Sequence, residues 1–460
     1  MPASAASVER ERPRASRSAR IRAPTPAPAP VGSVARAIGP SPPRVFCIRN
    51  AAGVPRARGG GVSEEGTHGP VLAGIVTALV GFSSSFVVVL AGLTAVGATA
   101  DQAASGLATL LVTQSLGMLW LSLRHRIPVT LAWSTPGAAL LATSAGVTGG
   151  WPAAVGAFVA TGVLIVLTAL VPRVGDLVAA IPVSLARAML AGVLLPLCLA
   201  PVTALVDSPA AVAPLVVAWL LLLRLAPRWA VPGALVVALG TVVATARIDA
   251  AELAPHLAWT TPTWSLSALV GIAVPLYVVT MASQNVPGAA VMSGFGYRVP
   301  WRESLAVTGI GTVVGAPTGG HAINLAAISA ALSAGPAAGP DPRRRWIAAV
   351  SASVAYLVLA VGSTALAALV AAAADGVMQA AAGLALLGTL GAALGDALSD
   401  PTEREPAAAT LVVAASGISV LGIGAAFWAL VAGLLLRWFL RAGRDPALPD
   451  REQSGLEAQQ

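Results

Sequence analysis

The chain has 460 residues, of which 56% are hydrophobic and only 10% are charged, and its mean hydropathy is +0.79. A soluble domain carries roughly a quarter charged residues because it needs a polar surface, so this composition excludes an ordinary soluble enzyme or binding module. Apolar runs near the length of about 20 residues that spans a bilayer as a helix recur along the sequence. They predict a polytopic α-helical membrane protein, with the lipid bilayer as its surroundings. The sequence contains no motif for a catalytic centre, a metal or a cofactor, and none is expected.

The basic charge is concentrated in the first 68 residues. Eleven arginines and four glutamates there give +7 of the formal +8, which leaves the body nearly neutral and without the basic face that binds phosphates. Nucleic acid is therefore not an expected partner. Residues 1–68, rich in Pro, Ala, Arg and Ser, are predicted to be a disordered cytoplasmic tail, and residues 444–460 a second disordered tail.

Fourteen apolar segments follow the N-terminal tail. Starting from a cytoplasmic tail, alternation places every arginine between residues 69 and 444, except Arg247, on the inner side. This agreement with the positive-inside rule predicts an even number of spans and two cytoplasmic termini. The segments lie near residues 70–98, 102–123, 134–148, 152–171, 183–205, 209–226, 230–246, 265–287, 303–316, 318–333, 346–371, 376–398, 407–421 and 422–440.

The third and tenth segments are short and interrupted. Ser134–Gly137 (Ser-Thr-Pro-Gly) interrupts the third and Pro317–His321 (Pro-Thr-Gly-Gly-His) the tenth, each after a β-branched run. The two segments point in opposite directions, and interrupted segments at matching places in inverted halves are typical of a transporter's binding site. Ser or Thr before Pro favours a helix start. A short half-helix is therefore predicted after each interruption, with its free N–H groups facing an anion.

Polar side chains in the first, third, eighth and tenth segments form the predicted substrate site. His321 and Asn324 lie three residues apart, hence on one face of the predicted half-helix. Lipid cannot hydrogen-bond such groups, so they face a cavity or a partner helix; serines at helix contacts and a histidine bonded to a carbonyl are the structural alternatives. The predicted substrate-binding residues are Ser83, Ser84, Ser134, Thr135, Gly137, Ser283, Gln284, Asn285, Thr318, Gly319, Gly320, His321 and Asn324.

His321 is also the candidate for proton coupling. It is the one histidine inside a predicted half-helix, and imidazole titrates near physiological pH. Two alternatives stay open: the proton can travel on the substrate, or through a chain of water molecules.

Four stretches resemble the benzoate:proton symporter (BenE) family. They are Ala132–Leu141, Val279–Gly288, Gly320–Ile328 and Ala415–Trp428, spread over a likeness that covers roughly residues 68–440. Where the family usually has Ala-Pro-Phe-Gly, this chain has Ala-Pro-Thr-Gly, with Thr318 in place of the aromatic residue.

The resemblance implies the fold of nucleobase and sulfate-type carriers, an all-α membrane protein with fourteen spans in two inverted sets of seven. Segments three and ten would each combine a short strand with a half-helix. A core domain would comprise residues 69–172 and 265–372, and a gate domain residues 173–264 and 373–443.

The function implied by the resemblance is proton-coupled uptake of benzoate or a similar aromatic carboxylate by alternating access across the inner (plasma) membrane. Its expected partners are the small-molecule substrate and protons, with a homodimer as a further expectation. A carrier of the same fold for another small anion or a nucleobase is the first alternative, although no mid-membrane carboxylate is present to read nucleobase N–H groups. An anion channel is the alternative from another class.

Overall fold

The structure is a computed structural model that describes residues 68–144, 147–171, 173, 181–245 and 257–442. The predicted tails, except His68, lie outside the described residues, as does Arg247. In the first half of the body the elements are α1 His68–Ser83, α2 Phe86–Ala95, α3 Ala100–His125, β1 Leu131–Trp133, α4 Thr135–Ala142, α5 Gly150–Leu170, α6 Val183–Asp207, α7 Pro209–Leu225 and α8 Ala230–Thr245.

The second half of the body repeats this alternation of long helices with one short strand-plus-helix segment. Its elements are α9 Leu266–Gly294, α10 Trp301–Gly315, β2 Ile323–Leu325, α11 Ile328–Ala334, α12 Trp346–Val361, α13 Ser363–Ala371, α14 Val377–Ala397, α15 Arg404–Ala415, β3 Ser419–Val420, β4 Ile423–Gly424 and α16 Ala425–Ala442.

The predicted membrane character is confirmed. Within the described ranges, eight helices are long and apolar enough to cross a membrane. Each of the fourteen predicted segments overlaps at least one helix, and the first and eleventh each overlap two. Helix pairs approach closely at small residues, as is common in lipid: a methyl group on Gly162 of α5 would lie 2.9 Å from the carbonyl oxygen of Gly309 in α10.

Two short strands, one from each half of the body, form a small sheet. β1 and β2 pair antiparallel, with Leu131 opposite Leu325 and Trp133 opposite Ile323. Each strand runs directly into a half-helix, α4 after β1 and α11 after β2. The two half-helices therefore begin on opposite sides of one small sheet.

The predicted helix start at Pro317–His321 is wrong. Residues Ala316–Thr318 form a 3₁₀ turn that ends α10, and Gly319 has the left-handed φ of 95° that stops a helix. The half-helix begins nine residues after Gly319, at Ile328. His321 lies in the extended segment before β2 and Asn324 lies within β2, so the two do not share a helix face, and successive side chains of a strand alternate between its two sides.

A β-hairpin separates the last two segments. Segment length alone predicts a boundary between residues 421 and 422. In the structure α15 already ends at Ala415. Gly417 has a positive φ of 64°, and the two turn residues between β3 and β4, Leu421 and Gly422, have φ of 56° and 74°. Two left-handed residues are what a tight two-residue hairpin requires.

Candidate functional site

Ser134 caps the first half-helix, as the sequence predicts. Its Oγ accepts a hydrogen bond from the Gly137 backbone N–H at 3.1 Å, and Pro136 occupies the first turn of α4. Thr280 of α9 donates from its hydroxyl to the same Oγ at 2.8 Å. Ser134 is fully buried, so its hydroxyl fixes the start of α4 and its link to α9.

The polar residues of α9 lie on a widened turn. Met281–Asn285 forms a π-helical turn, a feature that often occurs at functional sites because it changes the direction of the side chains around it. Asn285 is fully buried, and its Oδ1 accepts a hydrogen bond from the Leu325 backbone N–H at 2.9 Å. Gln284, its neighbour, lines a cavity. This turn therefore anchors β2 through Asn285 and places the Gln284 amide on the cavity wall.

A cavity of about 260 Å³ lies where the two interrupted segments meet. Its wall comes from α1, α3, β1, α4, α9, α12, α14, the segment between β2 and α11, and the start of α11. Among its apolar wall residues are Val80, Ala132, Trp133, Pro136 and Leu386. The polar side chains on the wall are Ser84, Ser85, Gln114, Thr135, Gln284, Ser329, Tyr356 and Thr389.

Ser85 organises one side of this cavity. Its Oγ accepts hydrogen bonds from Trp133 Nε1 at 2.9 Å and from the Thr135 hydroxyl at 3.0 Å. The indole and the first residue of α4 are thereby held to the junction of α1 and α2. Ser84 Oγ donates to the Gly81 carbonyl at 2.9 Å, and Ser83 lies on a separate, much smaller pocket.

The structure brings Ser84, Thr135 and Gln284 of the predicted site together on the cavity wall. Several others lie behind it. A methyl group on Gly137 would contact Leu276, and Ser283 is buried, with its Oγ unpaired within the described part of the chain. The binding roles of all these residues stay predictions.

The predicted residues Thr318, Gly319, Gly320, His321 and Asn324 are not on the described wall of this cavity. Thr318 Oγ1 accepts a hydrogen bond from the Thr109 hydroxyl at 2.8 Å, which ties the Thr318–Gly320 turn to α3. His321 is fully buried, its ring centroid lies 6.3 Å from that of Phe158, and neither ring nitrogen makes a hydrogen bond to a described residue. Asn324 is fully buried opposite Ala132 in the sheet.

Sequence reasoning missed several polar residues of the cavity wall, Gln114 and Tyr356 among them. Both are 1% exposed. Gln114 lies in the middle of α3 between Thr113 and Ser115, and an amide within a membrane span is a signal that could have been used. Tyr356 in its apolar run is indistinguishable from a core aromatic residue.

The comparisons with known proteins point to one class. Residues 66–439 match the family described as benzoate membrane transport protein. Inner membrane protein YdcO of Escherichia coli (strain K12) is 38% identical over 367 residues, which cover 79% of this chain and 93% of that one. The benzoate membrane transport protein of Acinetobacter baylyi is 26% identical over 387 residues, covering 82% of this chain and 97% of that one.

Solved structures of transporters share the fold. The transmembrane domain of a cyanobacterium bicarbonate transporter, BicA, superposes with a TM-score of 0.53 at 14% identity, covering 80% of this chain and 97% of that one. SLC26A9 superposes with a TM-score of 0.57 at 12% identity, covering 81% of this chain and 65% of that one. With the family match over most of its length, the chain belongs to the benzoate membrane transport protein family and is a membrane transporter, not an enzyme.

Proposed function

We propose that this protein takes up benzoate or a similar aromatic carboxylate together with protons, by alternating access. The observation that carries the proposal is the cavity of about 260 Å³ at the crossing of the two strand-plus-helix segments. Ligand sites commonly span about 300–1,000 Å³ and combine an apolar wall with a few polar groups. A cavity near the lower end of that range favours a solute with a single ring.

The cavity wall offers separate surfaces for a ring and a carboxyl group. Trp133, Pro136 and Leu386 provide apolar contact for an aromatic ring. The Thr135 hydroxyl and the Gln284 amide provide polar contacts, and Thr135 also begins α4, whose dipole places partial positive charge there. A carboxyl oxygen at the start of α4 is thus favoured, whether or not the acid is ionised.

We propose the inverted-repeat architecture on the basis of packing. α3 packs on α12, and α10 packs on α5. In the predicted numbering these helix pairs are spans two and eleven, and spans nine and four. An inverted repeat in which spans two and four correspond to spans nine and eleven predicts both contacts. The pairing of β1 with β2 fits the same correspondence. In this arrangement residues 69–172 and 265–372 form the core domain, and α14, which reaches the cavity through Ala385–Thr389, belongs to the gate domain of residues 173–264 and 373–443.

The predicted topology places the arginine-rich loops on the cytoplasmic side of the membrane. Reporter domains fused after Arg126, Arg228 and Arg345 are each expected to report the cytoplasmic side, because these arginines belong to predicted inner loops. A clear outside signal from any one fusion contradicts the topology. We place the protein in the inner membrane, since a relative of 38% identity carries that location in its name; the homodimer stays a prediction.

Transport assays test the proposed function directly. Membrane vesicles containing the protein are expected to accumulate radiolabelled benzoate against its concentration gradient when an inward proton gradient is imposed. The accumulation should saturate, and a protonophore should abolish it. Competition by uracil but not by unlabelled aromatic acids would indicate a nucleobase carrier of the same fold, and non-saturating downhill flux would indicate a channel.

A further inference from the structure

Gln114 places an unsatisfied amide at the substrate cavity. It projects from α3 onto the cavity wall and is 1% exposed. Its Oε1 is buried without a hydrogen-bond partner in the part of the chain that the structure describes. An unpaired buried polar group costs free energy that a hydrogen bond recovers. A group with this cost at the wall of a ligand cavity is suited to a ligand that completes its hydrogen bonding.

The chemistry of the amide restricts the ligand. An amide oxygen only accepts hydrogen bonds, and so does an ionised carboxylate, whereas a protonated carboxyl group has one O–H donor and one carbonyl acceptor. A neutral carboxylic acid can therefore form two parallel hydrogen bonds with one carboxamide, O–H to Oε1 and Nε2–H to the acid's carbonyl oxygen. If the O and N positions of the Gln114 amide are exchanged, the two hydrogen bonds still form, because the carboxyl group of the acid can turn over to match them.

We propose that Gln114 binds the carboxyl group of the substrate in its protonated, neutral form, so that the transported proton travels on the substrate itself. This inference rests on the proposed function and specifies its coupling. One proton from the outer aqueous phase adds to a carboxylate oxygen to give the acid, the acid is enclosed, and the proton is released with the carboxylate on the inner side. The step moves one negative charge and one proton together.

The remaining polar side chains on the described cavity wall carry no charge. They are hydroxyls and amides, such as those of Ser84, Thr135, Gln284 and Ser329. Burial of a charge without a charged partner costs far more than burial of a hydrogen-bonded neutral group. Protonation before enclosure therefore lowers the cost of moving the carboxyl group out of water.

Benzamide is the probe for this proposal. It presents an N–H donor and a carbonyl acceptor in the arrangement of benzoic acid, and it carries no charge at neutral pH. We expect benzamide to compete with radiolabelled benzoate for the purified, full-length protein in vesicles, with an apparent affinity that does not vary with pH. The apparent affinity for benzoate should fall about tenfold for each pH unit above the pKa of the free acid, because only the protonated fraction binds.

Two variants on the same helix localise the effect. Gln114→Met keeps a long unbranched side chain without the amide, and it should weaken both benzamide and benzoate binding about tenfold, the loss expected for one or two hydrogen bonds. Gln102→Met is the matched control, since Gln102 Oε1 accepts a hydrogen bond from the Thr99 backbone N–H at the start of α3 and Gln102 is not on the described cavity wall. Benzamide should compete with benzoate in this variant as it does in the unmodified protein.

Three results overturn the proposal. The first is that benzamide does not compete with benzoate. The second is that benzamide competes as strongly in Gln114→Met as in the unmodified protein. The third is a benzoate affinity that does not change with pH while uptake remains proton-driven. Benzamide competition and its pH series use the unmodified protein, so they test the protonated-substrate proposal even when Gln114→Met fails to fold. Failure of the proposed function looks different, because benzoate would then neither bind nor accumulate.

Discussion

Replacement of Asn285 by leucine is expected to abolish transport, because it disconnects α9 from the central sheet. The Leu325 N–H that now bonds Asn285 Oδ1 at 2.9 Å would be left unpaired, at a cost of about 1–3 kcal/mol. The hydrogen bond that Asn285 Nδ2 donates to Met281 Sδ at 3.2 Å would also be lost. Together these losses are a large share of the stability of a typical protein.

The matched comparison is Gln284→Leu, one residue earlier. Gln284 lines the cavity and Asn285 is fully buried behind it. Asn285→Leu should lower the melting temperature of the purified protein and remove uptake, whereas Gln284→Leu should weaken benzoate binding with little change in melting temperature. An Asn285→Leu protein that melts normally but binds benzoate weakly would instead place Asn285 in the binding site, as its sequence pattern alone suggests.

The contrast between the two half-helices shows which features are local. Ser134 caps α4 through a bond to Gly137 N–H, three residues away, and such a signal is readable from neighbouring residues. The start of α11 has no comparable signal: Ala327 precedes it without a side-chain cap. β2 is set by pairing with β1, nearly two hundred residues earlier, and by Asn285. No local pattern specifies those contacts, so the glycine turn at residues 319–320 was misinterpreted as the helix start.

The cavity residues also divide into those that a local sequence signal predicts and those that it does not. Gln284 was predictable because a polar side chain in a span needs a partner. The π-helical turn that points Gln284 and Asn285 to different surroundings has no recognised sequence signature. The predicted site includes Ser83 and Ser84 but not Ser85, and nothing in a run of three serines distinguishes one from another. Only the break between α1 and α2 brings Ser85 to Trp133 and Thr135.

His321 gives the second large expected effect, and it separates packing from proton coupling. Its ring is fully buried, edge-on to Phe158 with centroids 6.3 Å apart. His321→Ala would leave a cavity at this contact, and replacements of other large buried side chains by alanine cost about 2–5 kcal/mol. We expect a clear loss of folded protein, measured by fluorescence-detected size exclusion and by the melting temperature.

Coupling is expected to survive in His321 variants that fold. The described cavity wall does not include His321, so its imidazole does not contact the carboxyl group of a substrate bound there. His321→Gln should therefore still accumulate benzoate in response to an imposed pH gradient, at a rate per folded molecule reduced only by the poorer packing. Phe158→Leu, which disturbs the same contact from the other side, should behave alike.

The opposite outcome would assign the proton to the protein. If His321→Gln exchanges benzoate only down its concentration gradient while Phe158→Leu still accumulates it, loss of packing cannot explain the difference, and the imidazole must be the group that gains and loses the proton. The benzamide experiment would then have to agree: a proton held by His321 makes benzoate itself the bound species, and an uncharged amide would no longer compete through Gln114. The His321 variants and the benzamide competition therefore test the same question, which is whether the protein or the substrate carries the transported proton.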